Sequence, residues 1–152
     1  MGQWEIAQLN IGRTVAPTDD ARLADFMRQL DEINALAEQS PGFVWRLQSD
    51  SGNATDIVVD EDPLVIINYT MWTSIESLFD FAYRSAHREV FKRRFEWFER
   101  WSGPSVVLWW QPAGTIPDIP EALRRLRLLA ERGPTPEAFS LKERFEPPAD
   151  AA

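Results

Sequence analysis

The chain reads as a single α+β domain whose elements follow the order β-α-β-β-α-β, with one more helix near the C-terminal end. Three observations carry this reading. Residues 4–11 alternate two side-chain sets with the period of a strand. From residue 20 to 38 the apolar residues Leu23, Phe26, Met27, Leu30, Ile33 and Ala37 recur at spacings of three and four, the period of a helix. Two further runs, 64–72 and 105–110, are rich in β-branched and aromatic residues and stand on either side of a second helical stripe. A length of 152 residues with 44% hydrophobic and 12% aromatic content suits one core and excludes global disorder. The domain is expected over residues 1–145, with 146–152 as a frayed tail around Pro147 and Pro148.

The first strand places Trp4, Ile6, Gln8 and Asn10 on one side and Glu5, Ala7, Leu9 and Ile11 on the other. Pro17-Thr18-Asp19 supplies cap candidates for the first helix, and Ser40-Pro41-Gly42 stops it. Residues 43–48 form a second strand. The polar, acidic stretch 49–63 connects it to the third strand, 64–72, which puts Asn68 and Trp72 on a shared side. Thr73 or Ser74 can cap the next helix, whose stripe is Ile75, Leu78, Phe79, Ala82, Ala86 and Val90. A straight continuation to Trp101 would drive Arg93 into the middle of that stripe, so a break near Arg84-Ser85 is expected, leaving two shorter helices. After the fourth strand, 105–110, Asp118-Ile119-Pro120-Glu121 opens a third helix with a capping-box arrangement, and Gly133-Pro134 closes it. Residues 138–145 offer an edge strand. This is the ferredoxin-like arrangement, with helices on one face of a four-stranded antiparallel sheet. Val107 with Trp109, and Leu108 with Trp110, make both faces of the fourth strand apolar, so the face opposite the helices needs a cover. A homodimer pairing two such sheets is the simplest one.

A formal charge of −8 argues against binding to nucleic acid or to an anionic membrane surface. The sequence has no run approaching the roughly 18 apolar residues of a membrane span, and no basic-then-apolar leader, so a cytoplasmic protein is the expectation. The absence of cysteine removes thiolate nucleophiles, disulfides, cysteine zinc sites and sulfur-ligated clusters. Asn53-Ala54-Thr55 and Asn68-Tyr69-Thr70 match the glycosylation pattern without a secretion signal and carry no weight.

Few residues remain for chemistry. Gln8, Asn10 and Asn68 are unusual in a structural sheet; several amides aimed into one cavity would orient a ligand carbonyl, phenol or water, although amides near strand ends also serve neighbouring backbone. His87 is the only histidine, so any imidazole acid, base or iron ligand must be this residue. On a helical projection it falls at the edge of the apolar stripe near Tyr83, Arg94 and Phe98, where a purely structural histidine fits as well. The cations Arg84, Arg88, Lys92, Arg93 and Arg94 can hold an anion or pair with Glu89, Glu96 and Asp80 along the same stretch. Among seven tryptophans, Trp45 and Trp72 are the ones placed to stack on a flat ligand, with core packing as the competing use. No phosphate loop, serine triad motif or paired-histidine metal motif occurs.

The segments Ala7-Gln8-Leu9-Asn10-Ile11, Ser40-Pro41-Gly42-Phe43-Val44-Trp45-Arg46, Tyr83-Arg84-Ser85-Ala86-His87 and Leu108-Trp109-Trp110-Gln111-Pro112-Ala113-Gly114 closely resemble a bacterial family, domain of unknown function 3291. The resemblance runs through Gly133-Pro134-Thr135-Pro136-Glu137-Ala138-Phe139. That family looks like a branch of the dimeric α/β barrels, the group of the antibiotic-biosynthesis monooxygenases. The wider group includes cofactor-free quinol oxygenases, haem-degrading monooxygenases and members of no known activity, so fold alone does not give function. The resemblance implies two enzyme readings. In the cofactor-free one, Asn10 and Asn68 hold the substrate oxygens, Trp72 stacks on its ring, and His87 with Arg94 steadies the anion that meets oxygen. In the alternative, haem is bound with His87 as axial ligand; the haem-degrading members share the order asparagine, tryptophan, histidine found in Asn10, Trp72 and His87. Here His87 stands fifteen residues beyond Trp72, about a turn and a half farther along the helix than is usual in that group. The remaining reading is a noncatalytic homodimer that binds a small aromatic ligand or a partner.

Overall fold

The computed structural model describes residues 3–49, 54–55, 57–84 and 87–148, with the side chains of residues 87, 90 and 91 left outside. Strands β1 (Trp4–Arg13), β2 (Phe43–Arg46), β3 (Val65–Trp72) and β4 (Val106–Pro112) form one antiparallel sheet in the order β2-β3-β1-β4. The helices are α1 (Ala24–Gln39), α2 (Ile75–Arg84), α3 (His87–Lys92), α4 (Arg94–Trp97) and α5 (Ile119–Arg132). The ferredoxin-like order predicted from the sequence is therefore present, with α5 appended.

Local chemistry explains the boundaries. A 3₁₀ turn at Ala21–Leu23 precedes α1, and its cap is Asp20, whose carboxylate accepts from the Arg22 N–H at 2.9 Å; Thr18 and Asp19 take no such part. Gly42 has φ +83°, the left-handed region, and an added Cβ would collide with Ser77 and Thr73, so only glycine passes here. Ser74, not Thr73, caps α2: its hydroxyl accepts from the Ser77 N–H at 3.1 Å. The break expected near Arg84-Ser85 falls at residues 85–86, which lie outside the described residues; among those described, α2 runs to Arg84, α3 starts at His87, and α4 adds a single turn before Phe98. Asp118 caps α5 by accepting from the Glu121 N–H at 3.0 Å, and Gly133 at φ +72° ends it.

The register sorts side chains onto two faces. Gln8 stands opposite Thr70 and Asn10 opposite Asn68, so β1 and β3 present Ile6, Gln8, Asn10, Thr70 and Trp72 on one face, toward α1 and α2. Ile6, Trp72 and Leu108 pack there against Ala37 of α1 and Ile75 and Leu78 of α2. The opposite face carries Ala7, Leu9, Tyr69, Met71, Val107 and Trp109. The expectation that a second chain must cover it is corrected by α5, whose Ala122, Leu126 and Leu129 lie on it and leave Ala7, Leu9, Met71 and Trp109 with no exposed surface. Both sheet faces are thus closed within one chain. The expected edge strand at 138–145 reduces to one bridge, Leu108 with Phe139, made by reciprocal backbone bonds of 2.8 and 2.9 Å.

Candidate functional site

Between the α1/α2 face of the sheet and the helices lies a cavity of about 400 Å³. Its sheet side is tiered, because each step of two residues along a strand advances ~7 Å on the same face. The deepest tier is Thr70, flanked by Arg46 on β2. The middle tier pairs Asn10 with Asn68, and Val106 of β4 stands beside Asn10. The outer tier is Gly12 with Ile66. A Cβ on Gly12 would sit 2.8 Å from the Phe98 ring, so glycine at this position lets Phe98 lie against the strand. The opposing wall is apolar, with Phe26, Leu30 and Ile33 from α1, Phe81 from α2, and Trp97 and Phe98.

The outer end is closed by the chain after α4. Val15 donates its N–H to the Trp97 carbonyl and Glu99 donates to the Arg13 carbonyl, each at 2.8 Å. Arg13 clamps the same end, reaching Asp62 at 2.6 Å and Glu99 at 2.5 Å. Its hydrogen bond holds the Asp62 carboxyl below the usual carboxylate range. Ala54 and Thr55, from the polar connection between β2 and β3, add to the lining.

Of the residues singled out by sequence, Asn10, Asn68 and Arg94 line this cavity together. Gln8 is buried beneath it: the Thr70 hydroxyl donates to Gln8 Oε1 at 2.8 Å and accepts from Trp72 Nε1 at 2.9 Å. Gln8 therefore steadies the floor. Trp72 has no exposed surface; its ring stacks on Phe81 at 5.2 Å and meets Phe43 edge-on at 5.5 Å, so Phe81 presents the face to the cavity that Trp72 was expected to present. Trp45 lies on the other side of the sheet, edge-on to Tyr69 at 5.0 Å. Tyr83 points away from the cavity lining, with its ring 4.9 Å from Phe79. His87 begins α3, but its side chain lies outside the described residues.

Two polar residues missed in the sequence complete the deep end: Asn34 of α1 and Arg46 of β2 are 8% and 9% exposed. The reason lies in a bulge. Phe43 pairs with Trp72 and Trp45 with the adjacent Met71, so Val44 is an extra residue and the strand's alternation reverses there. Straight pairing would turn Trp45 toward the cavity; the bulge turns Arg46 there instead, opposite Thr70. Among the described residues, Arg46, Arg94 and Arg100 line the cavity against one carboxylate, Glu99, which is already held by Arg13. Arg94 and Arg100 both lie against the Phe95 ring, at 4.6 and 4.7 Å. Such a space can seat a flat ring against its aromatic wall, receive oxygens at the paired asparagines, and offset negative charge. Among the described residues no group of acidic or histidine side chains is arranged to hold a metal ion, and no helix is long and apolar enough to cross a membrane.

Solved structures that resemble this chain are distant in sequence. Protein SO0527 from Shewanella oneidensis superposes with a TM-score of 0.51 at 10% identity, over 74% of this chain and 95% of that one. A candidate antibiotic biosynthesis monooxygenase from Nitrosomonas europaea gives 0.47 at 12% identity, over 78% and 97%. The monooxygenase ActVA-Orf6 of Streptomyces coelicolor, solved in complex with nanaomycin D, gives 0.43 at 14% identity, over 75% and 91%. At 10% identity, the likeness to protein SO0527 is one of fold, not of activity. A search of the curated proteins finds no match. The family model described as Domain of unknown function (DUF3291) matches residues 5–152, almost the whole length, and the chain belongs to that family.

Proposed function

We propose that the cavity binds a flat aromatic or quinol-like metabolite and that the protein oxidises it as a monooxygenase without a bound cofactor. The observation that carries this reading is the pairing of Asn10 with Asn68 across from an aromatic wall of Phe26, Phe81, Trp97 and Phe98, in one cavity of about 400 Å³. The amides supply hydrogen-bond donors to two ring oxygens, and the wall holds the ring. The chemistry suited to such a site starts from a ring methylene activated by a neighbouring carbonyl. Loss of a proton gives an enolate, the enolate gives electrons to dioxygen, one oxygen atom becomes the new ring carbonyl, and the other leaves as water. Arg94, which lines the same cavity, would offset the enolate charge. His87 is the proposed proton acceptor; α3, which it begins, connects two helices that each contribute to the lining.

The haem alternative gains no residue from the described part of the site, whose lining contains no imidazole, thioether or phenol to meet an iron. A cytoplasmic homodimer remains part of the proposal, but the pair would have to form on surfaces other than the face under α5.

Anthrone, which is oxidised by dioxygen to anthraquinone and water, serves as the probe. The protein is expected to accelerate oxygen uptake and anthraquinone formation, and Asn10→Ala and Arg94→Ala each to slow it by tenfold or more, about 1.4 kcal/mol of barrier. Saturable quenching of tryptophan fluorescence by anthrone without turnover would reduce the protein to a binding module. The absence of both quenching and turnover would overturn the proposal.

A further inference from the structure

We infer that Asn34 of α1 binds the ligand directly, and that the ligand therefore carries a further oxygen at the end of its ring system remote from Asn10 and Asn68. The inference rests on the aromatic-ligand reading above and adds where the ring's oxygens stand. Three observations meet at this residue. The first is burial without a partner. Asn34 lines the cavity and is 8% exposed, yet among the described residues its side-chain amide makes no hydrogen bond. A carboxamide offers two donor hydrogens and an acceptor oxygen, and burying it unpaired is costly, so its partner is expected inside the cavity.

The second observation is its place in the helix. Phe26, Gln29, Leu30, Ile33, Asn34 and Ala37 recur at three and four and turn one face of α1 to the cavity. Asn34 and Ala37 are the two buried residues of that helix. Asparagine is a poor helix former, and the local compensation open to it, a side-chain bond to a carbonyl one turn earlier, is not made. Leucine would suit both the helix and its packing better, so neither accounts for the amide. The third observation is depth. Phe26 meets Trp97 and Phe98 at the outer end of the cavity, whereas Ala37 packs with Ile6 and Trp72 beyond the deep tier. Asn34, one turn before Ala37, stands toward the deep end, and the Asn10 and Asn68 pair lies a strand step of ~7 Å from Thr70. Thr70 and Arg46 at that end are already engaged, Thr70 with Gln8 and Trp72, and Arg46 with Glu38. A flat ring held at Asn10 and Asn68 therefore meets the Asn34 amide at its deep end. The ligand class is a fused aromatic ring system with hydroxyl or carbonyl oxygens at both ends.

The test uses two probes built on the same fused rings, 2-naphthol with one hydroxyl and 2,6-dihydroxynaphthalene with one at each end, titrated calorimetrically into the full chain. The wild-type protein is expected to favour the diol by about tenfold, the gain that goes with one more hydrogen bond to a buried group. Asn34→Ala, which removes the amide and keeps a strong helix former, should remove that preference. Asn34→Leu should raise the melting temperature, because an unpaired buried amide is replaced by an apolar group. A lowered melting temperature in both variants would make Asn34 a structural residue and overturn the inference, as would a diol preference that survives in Asn34→Ala. Equal affinity of the wild type for the two probes would overturn this inference alone. Failure of both probes to bind would overturn the aromatic-ligand reading and this inference with it.

Discussion

Trp72 is fully enclosed, with Phe81 stacked on one face, Phe43 against its edge, and its indole N–H directed to Thr70. Trp72→Ala should therefore act on stability first, lowering the free energy of unfolding by about 3–5 kcal/mol in a denaturant titration, because it leaves a cavity under Phe81. A loss below about 1 kcal/mol would remove Trp72 from the core. His87 is tested differently. His87→Gln should retain the melting temperature and abolish anthrone turnover, since glutamine keeps hydrogen bonding but does not titrate near neutral pH. A lowered melting temperature with turnover intact would make His87 a structural residue.

Among the elements, α5 depends on its first turn. Arg124 donates to Glu121 at 2.6 and 2.8 Å and Arg125 at 2.9 Å, and Arg124 is the larger cause that lowers the Glu121 carboxyl from an ordinary 4.5 to about 2, against the opposing effect of burial. A carboxyl lowered in the folded state binds its proton more weakly there than in the unfolded chain. Its stabilisation is complete above pH ~4.5 and is lost as the pH falls toward 2. Melting temperatures measured across that interval should fall more steeply for the wild type than for Glu121→Gln; equal slopes would dismiss the contribution. The existence and type of most elements were legible in the sequence, because each apolar stripe or alternation marks one buried face. The site was legible only where the alternation stayed regular. Asn10 and Asn68 sit on unbroken strands and were found, whereas the extra residue Val44 exchanged the roles of Trp45 and Arg46, and no composition or period announces a bulge. The role of α5 was hidden for another reason: periodicity shows that a helix has an apolar face, not which sheet face will receive it.

For the whole molecule, the covered sheet faces bear on assembly. Light scattering at micromolar concentration reads it directly: twice 17.5 kDa supports the proposed homodimer on some other surface, and 17.5 kDa removes it. The contrast between an acidic molecule and a cationic cavity also has a kinetic consequence. An anion in bulk water meets the net charge of −8 before it meets any lining arginine. The outer repulsion acts through solvent and fades beyond a Debye length of ~10 Å at 0.1 M salt. Arg46 at the deep end of the cavity is 9% exposed, and a charge interaction at so buried a group is screened by salt less than one at the surface. Capture and retention of any anion that enters this cavity would then be governed separately: moderate salt would hasten arrival while residence stayed nearly constant, the reverse of the salt-sensitive steering by which an oppositely charged surface draws in its ligand.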